Sequence, residues 1–104
     1  MQVILFIDTT NNKEIIVGLK IDGKESAKTQ ALDTRKAQVV LPMIEDLLKE
    51  KGLDLKDLSA IKVNPGTGSF TGIRVGLSVA NTLGFLLRIP VNGQKVGESA
   101  EANY

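Results

Sequence analysis

The chain has 104 residues, of which 42% are hydrophobic and 24% are charged, and its formal net charge is +1. This length and composition predict one globular domain over residues 1–104, without the overall charge that attracts nucleic acids or anionic membranes. Because the sequence contains neither Cys nor His, disulfides, thiolate nucleophiles and a Ser-His-Asp triad are excluded, and we predict no metal site and no cofactor.

The first part of the sequence predicts three antiparallel strands. Val3–Asp8 (VILFID) is a continuous apolar run of the kind that forms a buried central strand. The segments EIIVGLKI and ESAKTQAL flank Asp22-Gly23, a dipeptide typical of a tight hairpin turn. We therefore expect a β-meander at this end of the chain.

The remaining sequence alternates predicted helices and strands. A helix from Arg35 to Lys51 is expected to end at Gly52, and a strand over Ser59–Asn64 follows it. Next come a glycine-rich loop, a second helix, a short strand and a polar tail: Pro65–Gly72, Thr71–Arg88, Ile89–Gly93 and the residues from about 94. The order β-β-β-α-β-α-β predicts an α/β fold with a mixed five-stranded sheet and two main helices, which is the layout of a ribonuclease H-like lobe.

Neither a secretion signal nor a membrane span is predicted. The segment MQVILFID has no basic region, and its apolar run is short for a signal peptide. The most apolar stretch, Ile73–Val91, is interrupted by Arg74 and Arg88, so it falls short of the ~20 apolar residues that a membrane-spanning helix needs. We expect a cytoplasmic protein without membrane contact.

Both predicted helices carry patterns that fit either the protein's own core or a partner. Val39 and Met43 widen the apolar arc of the first helix, which suits a covering loop or a partner helix. In the second helix Gly76, Ala80 and Gly84 recur every four residues, although each interior glycine costs ~1 kcal/mol relative to alanine. Another backbone must approach this ridge closely, and the spacing leaves open whether it belongs to a partner or to the protein's own sheet.

The glycine-rich loop GTGSFTG, residues 66–72, lies where backbone amides at a helix start attract anions. It lacks the lysine of a P-loop, and its spacing differs from the dinucleotide-binding fingerprint. Arg74 in the first helical turn opposes the helix dipole, so a nearby anion would offset it, supplied either by Asp8 or by a ligand phosphate. The candidate anion or nucleotide contacts are Asp8, Gly66, Gly68, Ser69 and Thr71.

Segments spread over nearly the whole chain resemble the TsaB (YeaZ-like) family. ILFIDTT opens the chain, VLPMIEDLLKEKGLDLKDLSAIKV fills its middle, and GTGSFTGIRVGLSVANTLGFLLRIPV follows. The resemblance implies a ribonuclease H-like lobe of the actin/sugar-kinase/Hsp70-like superfamily. It also implies a non-catalytic subunit in the bacterial synthesis of threonylcarbamoyladenosine (t6A) on tRNA.

The resemblance further implies the partners. TsaB-like proteins bind and activate a TsaD-like catalytic subunit through a bundle of helices, and homodimers use the same surface. A TsaE-like ATPase is a further expected partner, and tRNA is contacted only indirectly. The interface residues that we predict on this basis are Val39, Met43, Arg74, Gly76, Ala80 and Gly84.

Three departures from the family pattern matter. Thr67 replaces the proline of the usual Gly-Pro-Gly loop, and Lys36 lies near the position where the family often has a histidine before the Leu-Pro of the first helix. The second lobe of the family is absent from this sequence. The catalytic relative TsaD holds a metal through paired histidines, and this sequence has no histidine, so we predict that the chain is not itself an enzyme.

Two other functions are compatible with parts of the sequence. Phe6–Thr10 (FIDTT) also resembles the first phosphate segment of the actin/sugar-kinase/Hsp70-like superfamily. The alternative function is therefore a small nucleotide-binding or phosphotransfer protein that uses Asp8 and the Gly66–Gly72 loop. A ribonuclease H-like nuclease is disfavoured, because it needs several carboxylates that converge on two metals, and only Asp8 ends a suitable strand.

Overall fold

The computed structural model describes residues 1–31, 36–68 and 70–103. In these residues four strands and two α-helices form an α/β fold with one mixed sheet. The elements, in chain order, are β1 (Val3–Asp8), β2 (Glu14–Ile21), β3 (Lys24–Ala31), α1 (Lys36–Glu50), β4 (Ala60–Val63) and α2 (Phe70–Leu87).

The sheet has the strand order β3-β2-β1-β4. β1 pairs antiparallel with β2 and parallel with β4, so that Leu5 lies opposite both Leu19 and Ile61. The predicted hairpin is confirmed. Asp22 and Gly23 have φ values of 48° and 90°, and a two-residue type I′ turn requires positive φ at both positions. The continuous apolar run of β1 thus occupies a central position in the sheet.

The prediction of a fifth strand over Ile89–Gly93 is wrong, because the described residues form a four-stranded sheet. Val91 makes only an isolated parallel bridge to Ile61. The backbone then turns at Asn92, whose φ is 53°, and the ladder is continued by that residue's side chain. Its amide accepts from the N–H of Val63 at 2.8 Å and donates to the carbonyl of Val63 at 2.9 Å. A side chain therefore replaces the backbone of a longer strand at this edge.

α1 ends as the sequence predicts. Gly52 has a φ of +71°, its N–H donates to the carbonyl of Lys49, and the N–H of Leu53 donates to the carbonyl of Leu48. These two hydrogen bonds are the Schellman arrangement that ends many helices at a glycine. The predicted first residue of this helix, Arg35, lies outside the described residues.

Both helices pack on the same face of the sheet. In β1, Val3, Leu5 and Ile7 alternate toward this face and are almost fully buried. On β3, Lys28 forms an ion pair with Glu50 of α1, and the hydrogen bond that its ammonium donates to that carboxylate raises the pKa of Lys28. This face of the sheet therefore carries the core, and the helices cover it.

The small-residue ridge of α2 faces this chain's own sheet. A Cβ at Gly76 would lie 2.5 Å from Oγ1 of Thr9 and 3.3 Å from Cγ2 of Val63, and Ala80 is fully buried. A Cβ at Gly84 would overlap the side chain of Val91. The interface prediction for Gly76, Ala80 and Gly84 is therefore corrected, because contacts within the chain already occupy all three.

The first helix requires a related correction. Met43 is only 5% exposed and belongs to the core, whereas we expected its side chain to be available to a partner. Val39 is half-buried and packs against the core cluster. The wide apolar arc of α1 is thus largely explained by its packing on the sheet, and Val39 alone of the two keeps substantial exposed surface.

No helix in residues 1–31, 36–68 or 70–103 combines the length and apolarity that a membrane crossing requires.

Replacing Gly84 with alanine tests the packing of the ridge. The added methyl group would meet Val91 and the carbonyl oxygen of Ile89 at 3.2 Å, and overpacking of this kind costs ~1–3 kcal/mol, of which better helix propensity offsets at most ~1. We expect Gly84→Ala to lower the melting temperature by several degrees. The control Ser78→Ala, exposed on the same helix, should leave it nearly unchanged. Equal melting of the two variants would contradict this packing.

Candidate functional site

The candidate site lies where the carboxyl ends of β1 and β4 meet. These strands are parallel neighbours, so Asp8 and Asn64, the residues at their ends, are brought together. One carboxylate oxygen of Asp8 accepts hydrogen bonds from the N–H of Thr10 at 2.9 Å and from its hydroxyl at 2.7 Å. The other accepts from the Asn64 side chain at 3.2 Å. Both oxygens of Asp8 therefore have partners within the chain.

Asn64 extends this network to the glycine-rich loop. Its side-chain oxygen accepts from the N–H of Gly66 at 3.2 Å, and its own N–H donates to the carbonyl of Ile7 at 2.9 Å. The polar groups at the ends of two strands and at the start of the loop are thus joined in one chain of hydrogen bonds. That arrangement fixes the point at which the loop leaves the sheet.

Thr9 connects β1 directly to the backbone of α2. Its side chain is fully buried, and its hydroxyl donates to the carbonyl of Gly72 and accepts from the N–H of Gly76 at 3.0 Å. In an α-helix these two backbone groups are each other's usual partners. The hydroxyl can reach both because position 76 has no side chain to block it.

The first two glycines of the loop also allow close approach. A Cβ at Gly68 would lie 2.6 Å from the carbonyl oxygen of Thr10, and one at Gly66 would overlap the carbonyl of Asn103. Their φ values, 154° and 152°, lie in a region that residues with side chains rarely adopt. Both glycines are therefore required for contacts within the chain, whether or not a ligand ever approaches them.

The segment after residue 98 is anchored rather than loose, which the prediction of a polar tail missed. Ala100 is buried, its N–H donates to the side chain of Asn81 at 2.8 Å, and its carbonyl accepts from the same side chain at 3.0 Å. The N–H of Asn103 then donates to the carbonyl of Pro65. We call residues 99–103 the C-terminal strap. The alternation of Ala100 and Ala102 with polar residues is the sequence signal that could have predicted its packing.

The remaining predicted site residues are spread around the start of α2. Thr71 is exposed in the first turn, and Ser69 lies outside the described residues. Arg74 is exposed and lies one turn inside the helix, which begins at Phe70. The pairing of Asp8 with Arg74 stays a prediction. Within the described ranges, no group of three or more Asp, Glu, His or Cys residues is arranged to hold a metal ion.

A different set of residues gives the helices an exposed apolar surface. Val75, Val79 and Leu86 fall on one side of α2, within about 40° of one another at 3.6 residues per turn. Leu86 is 68% exposed, and the two valines are half-buried against the core. On α1, Leu41 is 38% exposed. We call Leu41, Val75, Val79 and Leu86 the helix-face patch.

Comparison with known proteins identifies the class of this fold and site. Residues 31–94, more than half of the chain, match the family model described as TsaD: tRNA N6-adenosine threonylcarbamoyltransferase. The chain is 36% identical over 90 residues to the tRNA threonylcarbamoyladenosine biosynthesis protein TsaB of Escherichia coli (strain K12), covering 86% of this chain and 38% of that protein. It is 34% identical over 100 residues to TsaB of Bacillus subtilis (strain 168), covering 96% of this chain and 44% of that protein.

A solved structure agrees with the sequence relatives. The chain is similar to YeaZ from Pseudomonas aeruginosa with a TM-score of 0.83 and 34% identity, over 91% of this chain and 44% of the YeaZ chain. The chain belongs to the TsaB (YeaZ-like) family. It spans about two fifths of the length of the relatives that it matches.

Replacing Thr9 with valine tests its junction with α2. Valine has nearly the same shape but no hydroxyl, so the two helix groups lose a partner in a buried setting, at a cost of about 1–3 kcal/mol. We expect chemical denaturation to show a loss of stability in that range. Thr10→Val, the same substitution at a half-buried neighbour, should cost less, because Asp8 keeps its other donors. A Thr9→Val variant no less stable than Thr10→Val would contradict the role assigned to the hydroxyl.

Proposed function

We propose that this chain is a non-catalytic activator that binds a TsaD-like catalytic subunit during t6A synthesis on tRNA. The support is its similarity, over 86–96% of its length, to relatives named for the biosynthesis of this nucleoside. In this proposal the chain is a ribonuclease H-like lobe of the actin/sugar-kinase/Hsp70-like superfamily and works in the cytoplasm. It contributes a binding surface rather than reacting groups.

The single structural observation that carries the proposal is the helix-face patch. Leu41 and Leu86 expose apolar surface to water, the half-buried Val75 and Val79 lie on the same side of α2 as Leu86, and apolar side chains grouped on a surface commonly mark an interaction site. The patch lies on α1 and α2, the helices that the family resemblance assigns to the partner interface. The packing of the glycine ridge on the sheet moves the proposed contact from Gly76, Ala80 and Gly84 to a different side of α2, about 120° around the helix axis.

The arrangement around Asp8 supports a scaffold rather than a catalyst. Asp8 ends a central strand next to a glycine-rich loop, which is where a phosphate- or metal-binding carboxylate would be placed. Its two oxygens accept hydrogen bonds from Thr10 and Asn64, so they act as a local cap for the turn. A ligand would have to compete with these donors.

The other partners follow from the same proposal. A homodimer would use the helix-face patch when no catalytic subunit is present, because the same apolar groups would then be buried against a second copy. Val39 and Arg74 are the two residues of the predicted interface that keep exposed surface, and we retain them at its margin. A TsaE-like ATPase and tRNA would join through the catalytic subunit.

Charge introduced into the helix-face patch tests the proposal. Leu86→Asp would place a carboxylate where an apolar contact is expected, and losing such a contact typically costs ~2 kcal/mol or more, equivalent to ~30-fold in affinity. We expect this loss when binding to a TsaD-like subunit from the same genome is measured by calorimetry. The tRNA modification rate of the mixture should fall in parallel.

Ser78→Asp is the matched control, because Ser78 is exposed on α2 but lies outside the patch. It should bind the subunit within about twofold of the parent chain, a difference well below 1 kcal/mol. Both variants should melt near the parent temperature, since both positions are exposed. Equal binding by the Leu86→Asp and parent chains, or no binding by the parent chain, would refute the proposed contact.

A further inference from the structure

The C-terminal strap is held through its main chain. The N–H of Ala100 donates to the side-chain oxygen of Asn81 at 2.8 Å, and the side-chain amide of Asn81 donates to the carbonyl of Ala100 at 3.0 Å. Further along, the N–H of Asn103 donates to the carbonyl of Pro65 at 2.6 Å. All three hydrogen bonds use backbone groups of the strap, so they do not depend on its side chains.

Only small side chains of the strap are buried. Ala100 is 5% exposed, Ala102 packs against the core cluster, and Glu101 between them is exposed. A peptide that binds as an added strand presents its residues in this way, because its main chain gives affinity and alternate side chains enter pockets. A Cβ at Gly66 would overlap the carbonyl of Asn103, so the missing side chain at position 66 makes room for the strap.

The segment that joins the strap to the rest of the chain contributes nothing to the core. Residues 93–99 are all exposed. The N–H of Gln94 donates to the carbonyl of Val91, and the N–H of Glu98 donates to the carbonyl of Lys95, so these bonds close local turns. Few buried contacts and exposed hydrogen bonds are the marks of a segment that opens without unfolding of the whole domain. The strap can therefore leave its site as a unit.

We propose that Asn81, Pro65 and Gly66 form a polypeptide-binding site, which the strap fills in cis and from which a segment of another polypeptide displaces it. We call these three residues the strap groove. The ligand is defined by what the groove contacts. It is a main-chain segment with small side chains at the two positions that Ala100 and Ala102 occupy, and with any residue between them.

Displacement of the strap acts on the start of the glycine-rich loop. Pro65 and Gly66 are the first residues of that loop, and the N–H of Gly66 is bonded to the side chain of Asn64 at the end of β4. Release of Asn103 removes one contact from this point, whereas the junction of Thr9 with α2 uses other atoms and stays in place. The strap groove thus links a bound polypeptide to the loop without unfolding of the helix.

The strap groove and the helix-face patch are separate surfaces. Asn81 and Leu86 lie about 140° apart around the axis of α2, at 3.6 residues per turn. The experiments below need no TsaD-like subunit. Their failure would leave the proposed contact with that subunit standing, and failure of the Leu86→Asp test would leave the strap groove standing.

Hydrogen exchange of the full 104-residue chain tests whether the strap opens by itself. Local opening exposes the strap amides alone, whereas the amides of the central strand β1 exchange only when the domain unfolds. We expect the protection factors of Ala100 and Asn103 to be at least ~100-fold lower than those of Leu5 and Ile7. Equal protection would overturn the proposal, because the strap would then be an integral part of the fold.

A synthetic peptide of residues 98–103, ESAEAN, tests the groove in trans. In the Ala100→Trp variant of the full chain, the indole does not fit a position filled by a buried alanine, so the strap is released and the groove is open. In an NMR titration, the peptide should bind this variant at least ~10-fold more tightly than the parent, where the strap competes in cis. Glu101→Trp, at an exposed strap position, is the matched control and should bind the peptide no better than the parent.

The Asn81 side chain is tested in the same titration. Adding Asn81→Leu to Ala100→Trp removes two of the three hydrogen bonds and should weaken peptide binding at least ~10-fold. The peptide that itself carries the Ala100→Trp change should not bind. The proposal is overturned if the Ala100→Trp chain binds no peptide at concentrations up to ~5 mM. Equal binding with and without Asn81→Leu would also overturn it, because the peptide would then lie elsewhere.

Discussion

The hydroxyl of Thr9 determines where α2 sits on the sheet. It is fully buried, it bonds the carbonyl of Gly72 and the N–H of Gly76, and it can do so only because position 76 has no side chain. Thr9 directly follows β1 and bonds the backbone of α2, so the first turns of α2 are fixed against the end of β1. The glycine-rich loop that precedes the helix is then held between this junction and the Asp8–Asn64 network.

This junction changes how the glycine-rich loop is interpreted. A glycine cluster at a helix start can expose amides to a phosphate, but glycines also allow backbone segments to pass close to one another. In this chain Gly66 lies against the strap at Asn103, Gly68 lies against Thr10, and Gly76 lies against Thr9. The internal contacts account for these three glycines without a bound nucleotide.

The same geometry divides the molecule into surfaces with different uses. The ridge of α2 is buried on the sheet, so the proposed partner contact uses another side of the helix, the one with Val79 and Leu86. The face of the sheet away from the helices carries Ile4 and Phe6, the alternate apolar residues of β1 that the helices do not cover. The family relatives are more than twice as long as this chain.

Much of the fold could be predicted from local sequence signals, because those signals act over a few residues. The Asp22-Gly23 hairpin, the Gly52 helix end and the order of the main elements are of this kind. The side on which the glycine ridge packs could not be predicted, since a four-residue spacing describes a ridge and not its neighbour. The prediction of a final strand was wrong because Asn92-Gly93, inside that segment, is itself a turn signal, and both residues have positive φ.

The candidate site was predictable in part. Asp8 is linked to Gly66 through Asn64, because strand order places the ends of β1 and β4 side by side, and Gly68 lies against Thr10. The role of Thr9 was missed, since a threonine after a strand gives no local sign that its hydroxyl will reach a helix more than 60 residues away. The clamp of Asn81 on Ala100 was missed for the same reason.

A double-mutant cycle between Thr9 and Gly76 tests the central claim most directly. Folding free energies would be measured for Thr9→Ala, Gly76→Ala, the double variant and the parent chain. If the two residues meet as described, removing the hydroxyl makes room for the new methyl group, and the double variant should be more stable than additivity predicts by about 1 kcal/mol. Additivity within ~0.3 kcal/mol would show that Thr9 does not govern the approach of α2 to the sheet.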